Sequence, residues 1–218
     1  LTGYETDPVV NFTIMLLIIS GGLGFLVWNE VHSNGFRFGR YSMHSKIVMA
    51  TTGLLILGGT VGFMIFERNG DLAGRPAWVR IMDAMFMSVT TRTAGFNTID
   101  LSKLSEPGSI LAMILMFIGG SPGSTAGGIK TTTAAVIIIS IVCLSRGDED
   151  INAFGRRIED SLVKHAAVII LIYLIGVFTA GMIISSVEPY NVEQIFFEIT
   201  SAAGTVGLTM GITPHLTG

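Results

Sequence analysis

Charge is scarce in this sequence. Asp, Glu, Lys and Arg together supply 13% of its 218 residues, about half the share usual in soluble domains. Apolar residues make up 50% and mean hydropathy is +0.64. No basic stripe with interleaved aromatics is present, so a nucleic-acid partner has no electrostatic footprint to meet. A single cysteine, Cys143, excludes an internal disulfide and reads as a small packing residue in an apolar helix. The four histidines (His32, His44, His165 and His215) share no ligand spacing, which argues against a metal centre. Acids and bases are almost missing from the apolar runs, so an enzyme is not expected. The chain opens on Leu1 without a signal peptide and stops just after a Gly/Thr-rich segment. The expectation is a portion of a longer protein.

Long apolar runs are what it has instead. Residues 8–28, 47–66 and 166–187 carry no formal charge, and 107–144 is interrupted only by Lys130. About 20 apolar residues cross a bilayer as a helix, so the predicted class is an all-α polytopic membrane protein. Arg37, Arg40 and Lys46, then Arg146, Arg156, Arg157 and Lys164, cluster in two connecting segments predicted to be cytoplasmic. Arg68, Arg75, Arg80 and Lys103 on the opposite side run against that orientation.

Between the spans a pattern recurs. Apolar residues at helical spacing over 78–89 give way to Thr90-Thr91-Arg92-Thr93-Ala94-Gly95-Phe96-Asn97-Thr98. A second short helix pattern over 191–202 gives way to Ala203-Gly204-Thr205-Val206-Gly207-Leu208. A spacing of 112 residues carries Thr93-Ala94-Gly95-Phe96 onto Thr205-Val206-Gly207-Leu208. One Thr-x-Gly alone reads as a turn. Two in register, each after a span and a short helix, read as pore loops, because irregular backbone at membrane depth must line water or be buried in protein. The predicted ion-binding residues are Thr93, Ala94, Gly95, Thr205, Val206 and Gly207. Their carbonyls would replace the hydration shell of a potassium ion, as in filters of the Thr-Val-Gly-Tyr-Gly type. Gly95 and Gly207 are expected at positive φ.

The run Gly119-Gly120-Ser121-Pro122-Gly123-Ser124-Thr125-Ala126-Gly127-Gly128-Ile129-Lys130 cannot propagate a helix. Interior glycine costs about 1 kcal/mol and proline about 3 relative to alanine. Two half-helices around an intramembrane loop below the filters are predicted. The loop reads as a gate, with glycines as hinges and Lys130 repelling cations, and the alternative is close helix packing through small residues. A phosphate loop over 123–131 fails because Ile129 separates Gly128 from Lys130. A serine protease fails because Pro122 holds the place of the glycine such a site wants. Arg92 is assigned to an ion pair with a carboxylate such as Asp83 or Glu198.

Three motifs, 91–98, 119–130 and 203–208, resemble the Trk/Ktr/HKT superfamily of potassium transporters, and most of all its KtrB-type membrane subunits. The resemblance covers essentially the whole chain. It implies four helix/pore-loop/helix repeats around one pore, two of whose filter loops are in this sequence, and an intramembrane gating loop in the third repeat at 119–130. Residues 1–46 would be the last helix of the second repeat with its linker. Residues 47–146 would be the third repeat, and 147–218 a linker with the fourth up to its filter. The resemblance also implies a homodimer in a plasma membrane, seated on a cytosolic KtrA-like nucleotide-binding ring. The chain itself would hold no cofactor besides potassium in the pore, nucleotide being bound by the regulatory partner. Two rivals stay open: a secondary transporter with broken helices, and a membrane assembly factor whose glycines serve packing alone.

Overall fold

The computed structural model describes residues 2–35, 37–70, 72–148 and 150–216. Its helices are α1 (Pro8–Leu23), α2 (Phe25–Asn34), α3 (Met43–Phe66), α4 (Ala77–Thr90), α5 (Glu106–Phe117), α6 (Thr131–Arg146), α7 (Asp160–Val187) and α8 (Val192–Ala203). A two-residue-per-strand hairpin, β1 (Asn152–Ala153) and β2 (Arg156–Arg157), is the one regular extended element among the described residues.

Helix starts follow local chemistry. Asp7 caps α1 by accepting from the Val9 and Val10 amides, with Pro8 at the first helical position. Ser42 caps α3 through the Ser45 amide, and Ser105 caps α5 through the Gly108 amide. The α6 C-terminus closes on Gly147 in the left-handed region, φ 77°. At about 1.5 Å per residue, the 24 residues of α3 and 28 of α7 exceed the roughly 30 Å hydrocarbon thickness. Both are long and apolar enough to cross a membrane. Leu54, Leu57, Val61 and Ile65 of α3, and Leu171, Ile172, Ile175 and Met182 of α7, stand exposed, as lipid-facing positions do.

The uncharged run 8–28 is not one straight helix. It breaks at Gly24, and α1 and α2 meet at 96°. Gly24 takes φ 81° and ψ 151°, outside helical geometry. The backbone groups freed by the break find new partners. The Trp28 indole donates to the Ser20 carbonyl at 2.8 Å. The Gly22 carbonyl accepts from the Ser121 amide at 3.0 Å, and the Phe25 amide donates to the Gly123 carbonyl at 3.2 Å. The break falls in Gly21-Gly22-Leu23-Gly24, where three glycines weaken the helix, and the 119–130 loop, a hundred residues away, packs against it.

The main core joins Phe63 of α3, Ala84 and Met87 of α4, and Ala112, Leu115 and Met116 of α5. Phe197 of α8, Val206, Leu208 and Met210 beyond it, and Leu72, Ile99, Leu101 and Leu104 of the connecting segments belong to the same cluster. Ser88 of α4 ties its hydroxyl to the Leu55 and Ile56 carbonyls of α3. A second cluster at the opposite end of α3 and α6, around Ile47, Ala135, Ala153 and Ile158, seats the hairpin.

Candidate functional site

α4 has 14 residues and α8 has 12, about 21 and 18 Å of helix. Neither crosses a bilayer, so each delivers its C-terminal end, the negative end of its dipole, partway in. The chain then turns back. The Ala94 and Gly95 amides bond to the Thr90 carbonyl at 3.1 and 3.4 Å, and the Thr90 hydroxyl donates to the Phe96 carbonyl. After α8 the Thr205 amide bonds to the Ala202 carbonyl at 3.0 Å and the Val206 amide to the Ser201 carbonyl at 2.8 Å.

The two loops then take matching backbone conformations. Thr93 has φ 65° and Gly95 φ 78°, while Thr205 has φ 56° and Gly207 φ 88°; Ala94 and Val206 between them do not have positive φ. A β-branched residue at positive φ is an outlier, costing on the order of 1–3 kcal/mol and persisting only where surrounding structure enforces it. It occurs here twice, at equivalent positions. Reversing φ at alternate residues lays successive peptide groups toward one side instead of alternating them as a strand does.

Of the six predicted filter residues, Gly95 of the first loop lies against Val206 and Gly207 of the second. A Cβ added at Gly95 would fall 2.3 Å from the Val206 carbonyl oxygen, so the first loop touches the second and only glycine fits at the contact. Val206 is buried, and Thr205 and Gly207 are exposed.

Residues 119–130 form the predicted interruption between α5 and α6. The loop has a closed neck: Gly119 donates to Ile129 at 2.9 Å, Ile129 to Phe117 at 3.2 Å and Thr131 to Gly120 at 3.0 Å, all main chain. Ser121 is fully buried, and its hydroxyl lies 3.2 Å from that of Thr131. Lys130 turns its ammonium to the Ala126 carbonyl of the same loop. The loop approaches the second predicted filter segment so closely that a Cβ on Gly127 would lie 2.1 Å from Thr205 Oγ1. Its apex, Pro122 and Gly123, docks on the α1–α2 bend.

Arg92 corrects a sequence expectation. Its guanidinium reaches neither Asp83 nor Glu198. Asp83 pairs with Arg75 at 2.8 Å, and Glu198 accepts from the Thr209 hydroxyl at 2.7 Å, the Met210 amide at 2.9 Å and the Thr213 hydroxyl. Arg92 instead lies 3.4 Å from both Thr52 Oγ1 and the Gly119 carbonyl. Charge pairing offered carboxylates as partners, whereas the fold supplies a hydroxyl and a carbonyl.

Two features went unread in the sequence. Glu198 clamps the chain just beyond the second predicted filter segment; the signal was a carboxylate midway along an apolar short helix, well past the first-turn Glu193. His44 and His165 border one cavity of about 370 Å³ between α3, α6 and α7. Among the described residues no three His, Cys, Asp or Glu side chains group as metal ligands.

The TrkH cation transport protein family model matches residues 1–218. The chain belongs to that family. Among relatives, the potassium/sodium uptake protein NtpJ of Enterococcus hirae is 42% identical over 98% of this chain and 48% of its own length. The Ktr system potassium uptake protein B of Bacillus subtilis is 38% identical over 100% of this chain and 49% of its own. The chain therefore spans about half the length of the curated relatives it matches. The crystal structure of the potassium transporter TrkH from Vibrio parahaemolyticus superposes with a TM-score of 0.74 at 16% identity, over 94% of this chain and 45% of that one. This TrkH-family chain thus has an all-α, multi-span membrane fold.

Proposed function

We propose that this chain forms part of a passive, gated potassium pathway in the plasma membrane. The observation that carries the reading is the paired φ reversal at Thr93/Gly95 and Thr205/Gly207, each at the C-terminal end of a helix too short to cross. Thr93, Ala94, Gly95, Thr205, Val206 and Gly207 offer backbone carbonyls to a partly dehydrated ion, and the two helix dipoles favour a cation between them. Similarity to proteins named for potassium or potassium/sodium uptake supports the ion assignment. Residues 119–130 act as the gate beneath the filter, a role supported by their contact with Thr205.

On this reading residues 1–46, 47–146 and 147–218 are parts of successive helix/pore-loop/helix repeats, four of which surround the pore. The full protein pairs as a homodimer on a cytosolic nucleotide-binding ring, and it is a transporter with no catalytic step. A secondary transporter of a small solute is the second reading, favoured by the broken helices α1–α2 and α5–α6.

The test is potassium against sodium flux into liposomes containing the full-length parent protein, wild type beside Gly207→Ser. Selective potassium flux in wild type that loses selectivity in the variant supports the filter. A folded wild-type protein that passes no cation overturns it in favour of solute transport.

A further inference from the structure

Arg92 stands one residue before strained Thr93, with 7% of its surface exposed. A buried guanidinium holds its place only if polar groups compensate the lost water. Among the described residues no carboxylate touches it. Its Nη2 is placed 3.4 Å from the Gly119 carbonyl and 3.4 Å from Thr52 Oγ1 of α3, while Nε has no partner. Gly119 is the entrance of the 119–130 loop. The Gly119 amide is bonded to Ile129 across the neck, so a movement of Gly119 that opens the neck displaces the carbonyl Arg92 faces. The same arginine is covalently next to Thr93, whose positive φ survives only while its surroundings enforce it. A wall of one cavity of about 260 Å³ is shared by Arg92, Thr93, Ala94, Thr125 and Ala126, which leaves the two segments room to shift together.

We propose that Arg92 is a positioning residue that ties the neck of the 119–130 loop to the first filter segment, so that opening the loop relaxes Thr93–Gly95. The inference rests on the pore reading above and adds to it a coupling between gate and filter. Both acceptors face the one nitrogen Nη2, and a lysine keeps the charge without the rigid guanidinium plane that sets that nitrogen's place.

The experiment uses the full-length parent protein and two readouts. In Arg92→Gln, amide hydrogen exchange across 117–131 should quicken about tenfold, the size expected for losing one or two charge-assisted bonds, with the middle of α7 unchanged. Arg92→Lys should fall between wild type and Gln, and Thr52→Val, which leaves the charge in place, should quicken the same amides less. In liposomes, Arg92→Gln should lower potassium over sodium selectivity when the loop is intact, and add nothing when residues 123–127 are deleted. Unchanged exchange at 117–131 overturns the tie, and a selectivity loss that persists in full in the deletion background overturns the coupling. If wild type passes no cation while exchange still responds to Arg92→Gln, the pore reading falls and takes the coupling with it, leaving only the contact. Exchange on Thr52→Val and Arg92→Lys decides the matter if Arg92→Gln does not fold.

Discussion

At the scale of residues, the two filter glycines are not equivalent. Both sit at positive φ, where an L side chain costs about 1–2 kcal/mol. Gly95 faces the Val206 carbonyl at 2.3 Å from an added Cβ, while at Gly207 the nearest atom is 4.0 Å away. Gly95→Ala should therefore lower the melting temperature more than Gly207→Ala; equal shifts would mean that the loops do not touch as described. Glu198 gives a second expectation. Its carboxylate accepts from Thr209, Met210 and Thr213, and Glu198→Gln keeps one acceptor oxygen and loses the charge, a loss of about 1–3 kcal/mol. Hydrogen exchange at Met210 and Gly211 should quicken by about 5- to 150-fold, the same loss expressed as a rate, with α8 itself protected as before. The glycines were legible in the sequence because the same letters recur at one spacing. The partners of Arg92 and Glu198 were not, since a carbonyl or an amide has no letter of its own.

At the scale of elements, α3, α4, α7 and α8 follow the uncharged runs and short apolar patterns closely, because burial and lipid exposure both select on hydropathy. The split of 107–144 was readable too, since five glycines and a proline in twelve residues leave no helical alternative. The α1–α2 bend went unread, although Gly21, Gly22 and Gly24 mark its place. Gly24→Ala tests how far bend and loop depend on each other. An added Cβ would stand 2.6 Å from the Pro122 carbonyl oxygen, at φ 81°, so the apex must move off the bend. Cation flux should rise, and deleting residues 123–127 should raise it further. If the loop obstructs nothing, a well-folded deletion variant will conduct as wild type does.

At the scale of the whole molecule, α3 and α7 expose apolar side chains along most of their length, and the basic connecting segments gather at the end where the hairpin packs. The charge rule places that end in the cytoplasm. Asn152→Cys should then react with a membrane-impermeant thiol reagent only from the inside, and Ser102→Cys only from the outside. Both positions are exposed, and native Cys143 is buried. The reverse labelling would invert the orientation without touching the fold. Membrane class was legible at this scale from composition and span order from the uncharged runs, whereas which surfaces meet was not, since hydropathy does not distinguish a lipid neighbour from a helix.

The seat of the loop apex on the α1–α2 bend has a consequence for descent. Its two hydrogen bonds run Ser121 N–H to Gly22 O and Phe25 N–H to Gly123 O, main chain at both ends. The Ser124 hydroxyl, donating to the Ser121 carbonyl at 2.6 Å, holds the turn that presents them. Descent can therefore loosen this joint at two letters, Ser124 in the turn and Gly24, pressed against the Pro122 carbonyl.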